Sequence, residues 1–312
     1  MPAKLLAERA RAVRAIRGFF EGRGFFEVET PAIVPSPGMD LHLDAFAIAP
    51  PAAGQVTGEG AAWLITSPEY QMKRLLADGY ERIFQVCRCF RRGELGAQHN
   101  PEFTMVEWYR APGAVDDVMR DTEELVSEVC KGEVRVGEQR VDVKPPMVRM
   151  TVCEAFERFA GVAAADVLAW AERDEDKYFR TLVERVEPAL ARMDRGVFLV
   201  DYPASQASLA RRKPGDPRFC ERFELYVAGL ELCNGFGELT DAVEQRARFE
   251  HDRRERGRRG LPVYPIDERF MEALDRGLPP CSGNALGVDR LVALACGTTD
   301  IRRVLAFSAD EV

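Results

Sequence analysis

Apolar residues recur at helical spacing near the start of the chain, and a short apolar run follows. The helical spacing is carried by Leu6, Ala10, Val13, Ile16 and Phe20. Because residues three or four apart share one face of a helix, this pattern predicts an amphipathic helix. Gly22 and Gly24 end that helix, and residues 25–31 are predicted to form a short strand that stops at Pro31.

The rest of the chain does not alternate strictly between strands and helices. Further helices are predicted over 68–77, 115–130, 151–192, 240–260, 267–277 and 288–297. Strands are predicted over 63–66, 83–91, 103–109, 197–202, 222–232 and 281–286, with a hairpin over 134–143 and a loop over 50–60. Because a doubly wound parallel sheet needs alternation, this order favours an α+β fold with an antiparallel sheet flanked by helices. We expect a single domain over 1–312, with a helical insertion at about 151–192.

The charge balance and the missing motifs narrow the possible functions. The 312 residues carry a net charge of −8, so the overall field repels nucleic acid. Charged residues interrupt every apolar run before the roughly 20 residues of a membrane span, and no secretion signal is present, so we expect a cytoplasmic protein without a membrane partner. Phosphate-loop, dinucleotide-binding and hydrolase-elbow motifs are absent. Three histidines and eight cysteines without a CxxC pair argue against zinc.

Three segments, 90–109, 222–240 and 283–290, place polar side chains where packing does not require them. These side chains are Arg91, His99, Asn100, Glu107 and Tyr109 in the first segment, Glu224, Glu231 and Glu238 in the second, and Arg290 in the third. Carboxylates within apolar strands are costly unless they face a cation. We therefore expect a polyanion site built from arginine and magnesium, with Glu224 and Glu231 as the metal ligands. The alternative is a set of edge-strand residues in solvated ion pairs.

Residues 24–31, 90–109 and 283–290 resemble motifs 1, 2 and 3 of the class II aminoacyl-tRNA synthetases. Within that family the chain is most similar to the lysine branch, through residues 66–69 and 99–105 and through 234–240. The resemblance spans nearly the whole chain. It implies a six- to seven-stranded antiparallel sheet with flanking helices, a homodimer joined at motif 1, and ATP bent around Mg²⁺.

The resemblance also implies which residues bind ATP. Arg91 and Arg290 would be the catalytic pair, Arg91 bridging the α-phosphate and the substrate carboxylate and Arg290 holding the γ-phosphate. The implied ATP-binding residues are Arg91, Arg92, Gly93, His99, Asn100, Phe103, Glu231, Leu232, Gly287 and Arg290. Phe103 would stack on adenine. Motif 2 departs from the family pattern Arg-x-Glu, since Gly93 stands where the adenine-binding glutamate is usual and Glu94 comes one place late.

A second set of residues is implied to bind lysine. Its members are Ser67, Pro68, Glu69, Glu107, Tyr109, Asn234, Glu238 and Ala285. Glu69 would receive the substrate amino group. Glu107, Tyr109 and Glu238 would surround the ammonium, which needs acceptors on several sides once it leaves water.

The chain is similar, more narrowly, to stand-alone members of the lysine branch that act on elongation factor P. Motif 1 begins too early for an N-terminal anticodon-binding barrel of about 100 residues, so none is expected. Most synthetases have glycine where Ala285 stands, and the stand-alone members have alanine. This implies ATP-dependent activation of (R)-β-lysine, or of lysine, and transfer to a lysine of elongation factor P, with tRNA not expected as acceptor.

Two alternatives stay open at this point. One is a truncated lysyl-tRNA synthetase that charges tRNA, and the other is a non-catalytic regulator that binds lysine or adenylate. The intact set of arginines and carboxylates favours an enzyme. The densest basic run, 253–259, is interpreted as a solvated helix end, with a docking patch for an acidic protein as the alternative.

Overall fold

The structure is a computed structural model that describes residues 3–48, 62–207 and 209–312. Its helices are α1 (Ala3–Glu21), α2 (Glu69–Ala77), α3 (Val115–Cys130), α4 (Val152–Ala160), α5 (Ala164–Arg173), α6 (Glu175–Thr181), α7 (Glu187–Leu190), α8 (Ala242–Arg258), α9 (Glu268–Gly277) and α10 (Val288–Ala295). Its strands are β1 (Phe26–Glu27), β2 (Ile33–Val34), β3 (Ala47–Ile48), β4 (Ala62–Leu64), β5 (Arg82–Phe90), β6 (Glu102–Arg110), β7 (Glu133–Val136), β8 (Gln139–Asp142), β9 (Val148–Thr151), β10 (Val197–Pro203), β11 (Phe219–Val227), β12 (Leu230–Gly237) and β13 (Ser282–Gly287). The loop predicted over 50–60 lies outside the described residues.

Eight strands form the central sheet in the order β1-β5-β6-β13-β12-β11-β10-β9. The six inner strands of this sheet pair antiparallel with one another, whereas β1 and β9 at the two edges pair in parallel with their neighbours β5 and β10. The predicted α+β fold with an antiparallel sheet flanked by helices is therefore confirmed, with one parallel strand added at each edge. The strand predicted over 25–31 pairs only at Phe26–Glu27, because the chain leaves β5 after the Val28 N–H donates to the Phe84 carbonyl.

Apolar clusters hold the helices against this sheet. The largest joins α1, α3 and α10 to the sheet around Phe20 and Trp108, whose rings lie 5.0 Å apart. Another packs α4–α6 against β10, and the Phe156 and Tyr178 rings stack within it at 5.2 Å. Burial of a large apolar side chain contributes about 1.5–3 kcal/mol, so these clusters fix the helices firmly. Helices occupy most of the segment 151–192.

A third apolar cluster packs α2 against α8 and α9. Tyr70 of α2 stacks on Phe270 of α9 with ring centroids 4.7 Å apart, and Phe249 of α8 lies 5.6 Å from the same tyrosine ring. Because Glu69 directly precedes Tyr70, this packing sets the position of the first turn of α2. The cluster therefore places Glu69, one of the predicted substrate residues, relative to the sheet.

The strand predicted over 222–232 is wrong as a single element. The chain turns at Ala228 and Gly229, which both have φ in the left-handed region, and β11 and β12 run antiparallel on either side. The turn carries no polar or proline signal in its sequence, so the apolar run reads as continuous. Because of the hairpin, Glu224 of β11 and Glu231 of β12 lie on neighbouring strands instead of along one strand.

Candidate active site

A cavity of about 560 Å³ opens against the antiparallel strands, and most of the predicted ATP and lysine residues line it. Those in its wall are Ser67, Glu69, Arg91, His99, Asn100, Phe103, Glu224, Glu231, Leu232, Asn234, Ala285, Gly287 and Arg290. Those outside its wall are Pro68, Arg92, Gly93, Glu107, Tyr109 and Glu238. The fold thus brings one set of predicted residues to the cavity surface and leaves a second set outside it.

Arg91 follows the end of β5 and directs a weakly paired cation into the cavity. Its guanidinium carbon lies 5.0 Å from the Phe103 ring centroid, and its Nη1 lies 3.8 Å from a Glu94 carboxylate oxygen. Its Nε donates to the Thr66 carbonyl at 3.5 Å. Long, partly solvated contacts of this kind contribute little energy, so an anion in the cavity can replace them at small cost.

The backbone conformation at position 93 explains why a glycine stands there. Its φ is +86°, in the region that favours glycine, and the turn directs Arg92 away from the cavity. The Arg92 N–H donates to the Asp44 carbonyl at 2.7 Å, and its guanidinium lies 3.3 Å from the Asp44 carboxylate. Glu94, the other candidate for an adenine contact, faces Arg91 instead.

Arg290, in the first turn of α10, is held by three neighbours around the cavity. Its guanidinium donates to the Glu231 carbonyl at 2.6 Å and to the Gln98 carbonyl at 3.2 Å, and its Nη2 lies 2.8 Å from His99 Nε2. Burial and the Arg290 charge lower the pKa of His99, so the neutral ring can accept the hydrogen bond. The adjacent Asp289 instead anchors α1 through Arg9 at 2.5 Å.

Glu224 is fixed by surrounding hydroxyl and guanidinium donors. One carboxylate oxygen accepts from the Tyr202 hydroxyl at 2.5 Å and the Tyr226 hydroxyl at 2.8 Å, and the other accepts from Arg222 at 2.6 Å. Each oxygen that accepts a single hydrogen bond keeps a lone pair, so the Arg222-bound oxygen can still serve as a metal ligand. Glu224 therefore offers one spare acceptor position on the cavity side of β11.

Glu231 carries the second carboxylate of the predicted metal pair. Burial and repulsion from Glu224 raise its pKa to about 7, while Arg290 acts in the opposite direction. The Glu231 side chain is still 40% exposed, so water in the cavity screens part of this repulsion. A divalent cation would relieve it, and two carboxylates plus phosphate oxygens are a donor set that suits Mg²⁺. The described residues hold no cluster of three or more metal-ligating side chains, so phosphate oxygens would have to complete the shell.

Asn100, Asn234 and Ala285 line the cavity between these charged groups. The Asn100 side chain donates to the Glu102 carbonyl at 2.6 Å and accepts from the Ala309 N–H at 3.0 Å, so it shapes the loop after β5. Ala285 of β13 pairs with Asn234 of β12 on one side and with Glu107 of β6 on the other. Its methyl group therefore stands where the cavity meets the second set of predicted residues.

A buried polar network, which we call the amine cluster, lies behind this part of the wall. It consists of Ser67, Glu69, Lys73, Glu107, Tyr109 and Glu238. Glu107 accepts from the Ser67 hydroxyl at 2.6 Å and from the Tyr109 hydroxyl at 2.5 Å. Burial and the charge of Glu69 raise the pKa of Glu107 to about 8. Only Ser67 and Glu69 extend from the cluster to the cavity surface.

Lys73 is the member of the amine cluster that sequence reasoning missed. Its side chain is fully buried, and its Nζ lies 2.5 Å from both a Glu69 and a Glu238 carboxylate oxygen. Burial acts to lower the pKa of Lys73, but the charges of Glu238 and Glu69 outweigh burial and raise it above its ordinary value. Burial raises the pKa of Glu238 to about 7, although Lys73 opposes this shift. The four-residue spacing of Glu69 and Lys73 on α2 was the available signal.

The wall of the cavity includes the loop over 36–43, which Arg256 of the basic run 253–259 holds in place by hydrogen bonds. Arg256 is fully buried and donates to three carbonyl oxygens of this loop at 2.7–3.3 Å and to the Asp44 carboxylate at 2.5 Å. The interpretation of 253–259 as a solvated helix end is therefore wrong for Arg256. A buried guanidinium with carbonyl acceptors on several sides stabilises a loop that has little regular structure of its own.

Comparison with known proteins agrees with this architecture. The family model described as tRNA synthetases class II (D, K and N) matches residues 2–311. The chain belongs to this family. The class II synthetase resemblance drawn from the three motifs is thus confirmed.

Among the described residues, no helix is both long and apolar enough to cross a membrane.

The curated proteins that are similar to this chain include two enzymes with the same name. Both are called elongation factor P–(R)-β-lysine ligase, one from Klebsiella pneumoniae strain 342 and one from Klebsiella pneumoniae subsp. pneumoniae strain MGH 78578. They are 43% identical to this chain over 318 and 315 aligned residues. Each alignment covers 99% of this chain and 96% of the relative.

Proposed function

We propose that the protein is an ATP-dependent ligase that activates (R)-β-lysine, or lysine, and transfers it to a lysine side chain of elongation factor P. The observation that carries this proposal is the division of one cavity into two kinds of wall. Arg91 and Arg290 supply cations suited to phosphates and a carboxylate, and Glu69, where the amine cluster reaches the cavity surface, supplies acceptors suited to ammonium groups. The names of the two curated relatives support the choice of acceptor.

In the first step of the proposed reaction, the substrate carboxylate attacks the α-phosphorus of ATP and pyrophosphate leaves. The carboxylate is already charged, so this step needs orientation and charge stabilisation more than a general base. Arg91 holds the carboxylate and the α-phosphate together, and Arg290 holds the far end of the triphosphate. Mg²⁺, held by Glu231 and Glu224, would neutralise phosphate charge. Phe103 offers a ring face for adenine beside Arg91.

In the second step, the amine of the acceptor lysine attacks the carbonyl carbon of the adenylate. An amide bond forms, the bond to the phosphate oxygen breaks, AMP leaves, and the attacking nitrogen loses a proton. Lys73, Glu107, Tyr109 and Glu238 of the amine cluster are buried, so we expect the acceptor to enter from the side of the cavity that is open to solvent. A side chain that projects from a protein loop suits this opening.

The proposal extends to the assembly and the place of action. We expect a homodimer formed through motif 1, because its Phe26 is 62% exposed and Tyr80, whose ring lies 6.2 Å from that of Phe26, is 45% exposed. Exposed apolar groups clustered at the edge of a sheet are typical of an interface. We expect the enzyme to act in the cytoplasm, and the net charge of −8 disfavours tRNA as the acceptor.

The test supplies the purified protein with ATP, magnesium and one lysine isomer, and offers elongation factor P or tRNA as acceptor. We expect the mass of elongation factor P to rise by one aminoacyl group, faster with (R)-β-lysine than with α-lysine. An elongation factor P variant without its acceptor lysine is the control. Faster charging of tRNA would favour a truncated synthetase, and a lack of lysine-dependent pyrophosphate exchange would favour a non-catalytic regulator.

A further inference from the structure

The amine cluster contains its own ammonium group, that of Lys73. This group is fully buried, does not line the cavity, and contacts Glu69 and Glu238 at 2.5 Å each. Lys73 reaches the two carboxylates from α2 without lining the cavity. It can therefore neutralise them without occupying the space that a substrate would enter.

Glu238 keeps an acceptor that this lysine does not use. Its Oε1 is buried and has no hydrogen-bond partner among the described residues. Gly283 lies beside that oxygen, since a Cβ built at this glycine would stand 2.9 Å from Oε1 and 2.2 Å from the Tyr109 ring. A buried carboxylate oxygen without a donor is costly, which indicates that a donor arrives with a ligand.

The charges of the cluster balance only when a substrate is counted. Glu69, Glu107 and Glu238 are potential anions, and Lys73 is the only cation bonded to them among the described residues. A lysine isomer would bring two ammonium groups and one carboxylate, which Arg91 is placed to bind. Without Lys73, the empty cluster would hold three carboxylates with no cation, and buried carboxylates then take up protons.

We propose that Lys73 is a positioning residue for the substrate amines, which holds Glu69 and Glu238 around one resident ammonium so that their other oxygens receive the ammonium groups of the substrate. This inference rests on the proposed function, because it assigns the cluster to a diamino acid. Lys73 touches neither ATP nor the reacting carboxylate in this arrangement. Its effect should therefore be confined to the amine substrate.

The groups that face Lys73 predict how its loss depends on pH. They are Glu69 on α2, Glu107 and Tyr109 on β6, Glu238 after β12, Cys281 before β13, and Arg211, whose charge acts on Glu238. In the wild type, Lys73 opposes the effect of burial on the pKa of Glu238. Removing the lysine charge should therefore raise this pKa further. A protonated Glu238 binds an ammonium poorly, and higher pH should restore the charged form.

The experiment measures lysine-dependent pyrophosphate exchange for Lys73→Met, which keeps the apolar length of the side chain and removes its charge. We expect the KM for (R)-β-lysine to rise about tenfold or more at pH 7, with the KM for ATP changed less than about threefold. The difference from the wild type should narrow at pH 9. Lys213→Met is the matched control, because Lys213 makes a 2.5 Å ion pair with Asp201 outside the cavity.

The outcomes separate this inference from the proposed function. An unchanged or lower KM for the amine substrate would overturn the inference, and so would equal losses for both substrates without recovery at high pH. If Lys73→Met does not fold, Lys73→Gln carries the same pH test with a polar side chain in the same space. A wild-type protein without exchange would contradict the proposed function instead. In that case the thermal shift caused by (R)-β-lysine, compared between wild type and variant, still tests Lys73.

Discussion

The two ends of the cavity solve the problem of binding a charged ligand in opposite ways. Around Arg91 and Arg290, which we call the nucleotide side, the cations contact backbone carbonyls, a histidine ring and a distant glutamate, and water reaches them. In the amine cluster, Lys73 and Glu238 are almost fully buried and already paired before any substrate is present. The first end is open and loosely paired, whereas the second is closed and built around one buried lysine with two carboxylate partners.

The difference follows from what each ligand carries. A nucleotide triphosphate with its metal brings several charges and its own counterion, so arginines whose nearest carboxylates are 3.7–3.8 Å away are sufficient in a wet cavity. A single ammonium has to be distinguished from water and from other small cations. That selection needs acceptors in fixed positions that cannot be solvated, and a resident cation keeps those carboxylates from being left unpaired in the empty protein.

The largest expected effect is on the nucleotide side. Arg91→Ala should lower lysine-dependent pyrophosphate exchange by about 10³-fold, because it removes the group that holds both reactants and stabilises developing charge. The loss should appear in kcat as well as in both KM values. Steady-state exchange assays with each substrate varied in turn measure this.

A matched control lies three residues earlier in the chain, within β5. Arg88 of β5 is 51% exposed and pairs with Glu102 at 3.5 Å, away from the cavity. Arg88→Ala should keep exchange within about twofold of the wild type, as expected for an exposed ion pair. Comparable losses in both variants would mean that the effect comes from β5 and not from contact with the reactants.

The next effect is expected in the amine cluster. Glu238→Gln keeps the shape of the side chain but removes one counter-charge, so the KM for (R)-β-lysine should rise about 30-fold while the KM for ATP changes little. Glu102→Gln, an exposed glutamate on β6, is the control. Equal increases in both KM values would assign Glu238 to the nucleotide side and remove the contrast between the two ends.

A smaller effect is expected where the two ends meet. The Ala285 methyl group lies between Asn234 and Glu107 and lines the cavity. One methyl group changes discrimination by about 10- to 200-fold, so Ala285→Gly should lower the preference for (R)-β-lysine over α-lysine by about tenfold. The measured quantity is the ratio of kcat/KM for the two isomers. An unchanged ratio would mean that Ala285 does not determine the preference between the two isomers.

The smallest effect concerns stability and pH. Burial raises the pKa of Glu107 to about 8 and of Glu238 to about 7, so the folded protein holds protons that the unfolded chain has released. The stability that these two groups contribute is therefore fully present below their ordinary pKa of 4.5 and is lost as the pH rises through 7 and 8. We expect the Tm without ligand to fall by roughly 2–4 °C between pH 6 and pH 8.5, and (R)-β-lysine to restore more of it at the higher pH. Thermal melts with and without substrate measure this, and a Tm that rises over the same interval would contradict the assignment.

The sequence by itself determined the fold class and the family, and most of the site residues that it predicted line the cavity. The period of the apolar residues identified α1, α3 and the β5–β6 hairpin, because helices and strands repeat at different intervals along the chain. Arg91, Arg290, Glu224 and Glu231 could be found because a charge within an apolar run needs a partner wherever the strand lies.

Only the tertiary structure decided which of these residues face the cavity and which lie behind it. The turn at Ala228–Gly229 has an apolar sequence, so the pairing of β11 with β12 depends on the neighbouring strands. Lys73 and Arg256 look like ordinary surface cations on charged helices, and they are buried only because acceptors from distant parts of the chain surround them. Burial and ion pairing at such positions depend on which distant segments pack together, and local patterns of hydrophobicity do not predict those contacts.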